Sequence, residues 1–148
     1  MNWIDSIILG LIEECGSNDI YEVCDYLGID IVKLEPNNAI LLGNESVYNR
    51  NFFNREVIFI RNDFAVKYAR FVISHEVCHA VVHTSIGSAA FNGDLINKGK
   101  LERQANYFAF KFNNIKFDEI QLYEMTMEQI SSCLELPEKA LKQLFNEI

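Results

Sequence analysis

The residues best suited to chemistry lie in one run, His75-Glu76-Val77-Cys78-His79-Ala80-Val81-Val82-His83. It contains H-E-x-x-H, and on an α-helix advancing about 100° per residue His75 and His79 fall roughly 40° apart on one face. Two imidazoles so placed can reach a single metal ion. Glu76 falls about 100° round from His75, outside that pair but near enough to touch a water held on the metal. That is the arrangement a hydrolytic zinc site needs, with Glu76 as its base.

A catalytic zinc commonly keeps three protein ligands and leaves the fourth position for water. Glu102, about twenty residues beyond His79 and on a separate helical pattern, supplies the third. Glu102, Ala105, Asn106 and Ala109 share a sector of roughly 100° on that helix. The two alanines permit another helix to approach closely, which lets a short Glu side chain reach a neighbouring metal. The plain alternatives are core histidines on an amphipathic helix and a first-turn carboxylate that favours the helix dipole.

His83 projects towards the same face one turn beyond His79, but no G-x-x-H turn follows, as a third histidine ligand of the metzincin type would require. It reads as a supporting, substrate-facing or structural residue. Cys78 lies on the His75 side of the helix, where a buried inert thiol is expected over a competing thiolate ligand. Asn106 can orient Glu102 or serve packing. Tyr68 and Tyr107 are core aromatics first and oxyanion stabilisers second.

Two blocks of sequence resemble the ImmA/IrrE metallopeptidases, zincin-like proteases encoded largely by bacteria, their phages and mobile elements. One block is Arg70-Phe71-Val72-Ile73-Ser74-His75-Glu76-Val77-Cys78-His79 through His83, and the other is Glu102-Arg103-Gln104-Ala105-Asn106-Tyr107-Phe108-Ala109. H-E-x-x-H alone is moderately specific; its pairing with E-x-x-A-N-x-F-A at this separation is a strong signal. The stretch Asn18-Asp19-Ile20-Tyr21-Glu22 through Ile31 also looks like the N-terminal part of shorter members, so the likeness covers most of the chain. Cys78 stands where the family usually has Gly. The resemblance implies a zinc-dependent endopeptidase holding one Zn2+ that cleaves a helix-turn-helix transcriptional repressor of a phage, a mobile element or a stress response. It assigns His75, His79 and Glu102 as metal ligands and Glu76 as the general base.

Around these residues the chain must build a scaffold. Trp3 to Cys15 reads as an amphipathic helix stopped by Gly16, and Asp19 with Glu22 reads as a capping box for a helix from Ile20 to Leu27. Ile29 to Leu34, Ala39 to Leu42 and Glu56 to Arg61 read as three strands, the last with the run Val57-Ile58-Phe59-Ile60. Between the last two, the polar interval Gly43 to Asn54 is long for a hairpin connection, and its Tyr48, Phe52 and Phe53 make it more than a plain linker. Ala65 to about Thr84 is the helix that carries the motif, Ser85 to Asp94 a loop, and Lys100 to Phe112 the helix that carries Glu102. Thr126 with Gln129 caps a short helix to Leu134, and Pro137 opens the last one, to Phe145.

The chain has 148 residues, 49% of them apolar and 12% aromatic, enough for one domain with a substantial core and too hydrophobic for a disordered segment. Its formal net charge is −8 and its 13 Lys and Arg are dispersed, which argues against direct nucleic-acid binding. Cys15, Cys24, Cys78 and Cys133 form no C-x-x-C pair, consistent with a reduced protein. The N-terminus lacks a basic segment, and no uncharged run approaches the length that spans a bilayer, so a cytoplasmic location is expected. The expected fold is α+β over residues 1–148: a helical pair, a small three-stranded zincin-like sheet, the metal-bearing helix, the Glu102 helix and a C-terminal helical cap. The competing function is a non-catalytic, metal-containing module that sequesters a regulator, but such a site has no need of Glu76.

Overall fold

Asp19 shows how the N-terminal helices are tied to the rest. In the computed structural model, which describes residues 2–95, 99–115 and 124–145, helix α1 (Asn2–Cys15) gives way at Gly16 to α2 (Ile20–Leu27). The Asp19 carboxylate caps α2 by accepting from the Tyr21 amide at 2.9 Å, and Arg70 donates to it at 2.8 Å. The expected reciprocal contact from Glu22 is replaced by this tie to a later helix, and Gly28 closes α2 with a φ of 76°.

The sheet has four strands, one more than the sequence pattern predicts: β1 (Ile29–Leu34), β2 (Ser46–Phe52), β3 (Arg55–Arg61) and β4 (Ser88–Phe91). Their order is β1-β3-β2-β4, with β1 parallel to β3, and β2 antiparallel to both β3 and β4. Ala39 to Leu42 is not a strand. Asn38 accepts from the Ile40 amide at 2.9 Å and caps a single 3-10 turn over Ala39–Leu41, after which Leu42 takes a φ of 52°. That left-handed residue breaks any extended run.

The polar interval instead supplies β2, the second of the two central strands. Its alternation is the half-buried kind: Ser46 and Tyr48 face the helices and are fully buried, while Val47 packs on the opposite face against Leu41, Val57 and Phe59. A two-residue turn, Phe53-Asn54, joins β2 to β3 with both φ values positive, 51° and 67°. This is primed-turn geometry without the Asn-Gly or Asp-Gly that announces it, which is why the hairpin reads as a loop. The loop expected over Ser85 to Asp94 contains β4, whose small residues Ser88, Ala89 and Ala90 pair with Asn49, Tyr48 and Val47.

Helix α3 (Val66–Val81) lies against the inner face of the sheet, and twelve of its residues, from Tyr68 to Ala80, are buried. It is enclosed on more than the one stripe expected from its pattern, because α2, α4 and the sheet all pack on it. Helix α4 (Lys100–Phe112) packs on it, and its Ala105 and Ala109 are fully buried. The described residues beyond it include two short helices, α5 (Met127–Leu134), whose Thr126/Gln129 capping box forms as expected, and α6 (Glu138–Phe145). Among the described residues, no helix is long and apolar enough to cross a membrane.

Candidate metal centre

Helix α3 turns His75, Glu76 and His79 into the interior together, and each offers a ligand atom within 4.8 Å of the others. Glu76 thus comes closer to the two imidazoles than an ideal helical wheel suggests, with its Oε1 3.9 Å from His75 Nε2. From α4, Glu102 reaches across to both rings: its Oε2 is 3.0 Å from His75 Nε2 and its Oε1 is 3.0 Å from His79 Nε2. All four residues picked out by the two sequence blocks therefore meet. His83 does not join them. Its Nδ1 faces His79 Nδ1 at 2.8 Å, and its Nε2 faces Gln104 Oε1 at 2.7 Å.

The far side of each imidazole decides which nitrogen is free. Asn106 Oδ1 accepts from His75 Nδ1 at 2.8 Å, so that nitrogen carries a hydrogen, and Nε2, 3.0 Å from the Glu102 carboxylate, is the nitrogen left to offer a lone pair to a metal ion. The amide oxygen of Gln104 makes the same demand of His83 Nε2. His83 Nδ1 is then an acceptor, His79 Nδ1 the donor, and His79 Nε2 is again the lone-pair atom. Burial, partly opposed by the Gln104 hydrogen bond, lowers the His83 pKa and keeps that ring neutral in this role.

Both Glu76 oxygens and His79 Nε2 are buried without a hydrogen-bond partner; the 3.0 Å contact of His79 Nε2 with Glu102 is not aligned as a hydrogen bond. Leaving such groups unpaired costs about 1–3 kcal/mol each, and more when charged. Burial, and then the charge of Glu102, push the Glu76 pKa well above the ordinary carboxylate range; the Tyr48 amide and Ser46 hydroxyl lie near enough to oppose this slightly, but neither is aligned as a hydrogen bond to it. Burial acts to raise the Glu102 pKa too, but its contacts with His75 and His79 prevail and hold it well below that range. Two imidazole nitrogens, an ionised carboxylate and a second carboxylate that lacks an aligned partner form a nitrogen and oxygen donor set that fits a divalent cation such as zinc.

Residues 24–147 match the sequence model of a peptidase family, described as the IrrE N-terminal-like domain. The chain belongs to this family. It is also similar to Metallopeptidase ImmA of Bacillus subtilis (strain 168), with 29% identity over 103 residues, which cover 69% of this chain and 57% of that protein. The chain thus spans little more than half the length of that curated relative.

Within this IrrE-like domain, several residues beyond the motif shape the site. Arg50 of β2 donates to the carbonyl oxygens of His79 (3.2 Å), Ala80 (3.1 Å), His83 (3.1 Å) and Ile86 (2.8 Å), so one guanidinium closes the C-terminal end of α3. It lies in the interval read as a connection, so nothing in its local sequence pointed to it. Phe91 of β4 packs on the His75 ring with centroids 4.4 Å apart. A cleft of about 120 Å3, lined in part by Ala90, Phe91, Asn92 and Glu102, opens beside the cluster. A larger hollow of about 280 Å3, between Arg70, Asn113 and Leu134, contains none of the four site residues.

Three residues weighed as participants are occupied elsewhere. Cys78 is fully buried in the hydrophobic core, where burial, with a smaller push from the Glu102 charge, raises its thiol pKa far from the thiolate form. The Tyr68 hydroxyl donates to Glu45 at 2.8 Å, and the Tyr107 hydroxyl to Asp5 at 2.9 Å. Both are tied to other carboxylates.

Proposed function

We propose that this chain is a zinc-dependent endopeptidase in which His75, His79 and Glu102 hold one Zn2+ and Glu76 is the general base. The observation that carries the reading is Glu76 itself, a fully buried carboxylate beside two histidines with no hydrogen-bond partner for either oxygen. A structural metal site would not need such a group. When bound, a zinc ion polarises a carbonyl oxygen and brings the pKa of a water from 15.7 to about 7.

The protein's own part is positional and protonic. The raised pKa of Glu76 suits a group that must take a proton from water and then deliver it to the leaving amine from the same carboxylate. Asn106 and His83 hold the two imidazoles so that neither ring turns its N–H towards the reacting centre. The buried rings and Phe91 keep bulk water from the site, while the cleft beside Glu102 leaves a way in for a peptide.

The substrate we propose is a helix-turn-helix repressor of a phage, mobile element or stress response, on the strength of the two sequence blocks and the similarity to a protein named Metallopeptidase ImmA. The test is Glu76→Gln assayed against the repressor encoded nearest the gene. The variant keeps its zinc, and cleavage followed by intact mass falls about 100- to 10,000-fold. Equal relief of repression by both proteins without any cut would establish a sequestering module instead.

A further inference from the structure

The Asn106 side chain has two unlike ends, and only one serves His75. With Oδ1 against His75 Nδ1, the ring hydrogen sits on Nδ1. With the amide reversed, its N–H would face Nδ1, and the hydrogen would move to Nε2, the nitrogen that faces Glu102. Nothing in Asn106 itself makes this choice.

It is made on the last helix. Asn106 Nδ2 donates to Gln143 Oε1 at 3.2 Å, and Gln143 Nε2 donates to the carbonyl oxygens of Gly93 at 3.2 Å and Leu95 at 2.9 Å. A backbone carbonyl only accepts, so two of them at one end of Gln143 fix which end is nitrogen. The fixed oxygen then fixes Asn106. The three side chains are at most 2% exposed, so, although Gln143 lines one wall of the cleft beside Glu102, little water reaches them to replace a misdirected bond.

The carbonyls are themselves held. The Gly93 amide donates to the Glu45 carboxylate, which also receives the Tyr68 hydroxyl and the Lys139 ammonium of α6. A side chain at position 93 would meet the Tyr68 hydroxyl and the Glu45 carboxylate, and would have to displace the very groups that hold the loop here.

We propose that Gln143 is a positioning residue: through Asn106, it holds His75 in the tautomer whose Nε2 lone pair is available to a metal ion. The inference rests on the reading of His75 as a ligand. It is tested with the full chain and zinc, by competition against a chromophoric chelator. Gln143→Met is similar in length but has no amide, and it weakens zinc binding about three- to tenfold, below the 10- to 100-fold typical of losing a ligand's direct support.

The Asn106→Asp background separates orientation from mere packing. A carboxylate has no donor end to misplace, and its oxygen would face Gln143 Oε1 acceptor to acceptor. There, Gln143→Met leaves zinc affinity unchanged or raises it. Equal losses in both backgrounds would show simple helix docking and overturn the proposal, as would undiminished affinity in Gln143→Met alone.

One measurement needs no variant to fold. The Gln143 side-chain amide protons of the wild type exchange slowly with solvent by NMR; exchange as fast as an exposed glutamine's would sink the relay. His75→Ala keeps the two readings apart. Loss of zinc there, with full binding by Gln143→Met, removes only the relay, whereas a wild type that takes up no zinc removes the ligand reading and the relay with it.

Discussion

A carboxylate closed off from water, as Glu76 is, either finds a partner or keeps its proton. Its folded pKa is raised, so between the unfolded value near 4.5 and the folded one the native state binds more protons than the unfolded state. Stability of the zinc-free protein is therefore fullest below that unfolded value and declines as pH rises towards the folded pKa. Glu76→Gln removes this decline. Urea titrations from pH 4 to 8 with chelator present will show it as a flatter profile for the variant; parallel profiles would mean that Glu76 is not desolvated as described. The motif made Glu76 legible in the sequence. Its lack of an aligned partner was not, since that depends on how Ser46 and Tyr48, from a strand that reads as a loop, are placed around it.

The elements that were hardest to read carry the supports. Arg50 grips four carbonyls at the end of α3, where a cation also meets the helix dipole. Arg50→Met leaves those acceptors with no donor of comparable strength, and a loss of about 2 kcal/mol is expected from the denaturation midpoint, with weaker zinc binding because the His79 turn loosens. The hairpin that presents Arg50 turns at Phe53, an aromatic at a left-handed φ of 51° and 85% exposed. Phe53→Asn relieves that conformation but gives up the edge contact with Phe52, whose ring centroid is 4.8 Å away, so a net gain of no more than about 0.5 kcal/mol is expected in the same assay. Helices α1 to α4 were recognisable because apolar periodicity and end signals are local. Strands β2 and β4 were not: β4 is defined by its pairing with β2, Ser46 lying opposite Phe91 far along the chain, and the β2–β3 hairpin turns at Phe53-Asn54 without the glycine that would announce it.

For the molecule as a whole, the metal reading makes folding and ligation one equilibrium. Zinc at about 100 times its dissociation constant adds roughly 2.7 kcal/mol to stability, so chelation should lower Tm in wild type and in Glu76→Gln alike, but far less in Glu102→Ala. An unchanged Tm on chelation in the wild type would argue against a metal held by the fold. By itself the sequence determined the chemistry on offer: residue types at helical spacing give two imidazoles and a carboxylate on one helix, and small residues beside Glu102 give a second helix that can approach. Those relations are local and periodic, so they survive being read one residue at a time. The tertiary structure alone decided which nitrogen each histidine presents. That choice depends on Asn106, Gln143, Gln104 and the carbonyls of Gly93 and Leu95, whose hydrogen-bonding ends acquire a direction only when distant segments are buried together.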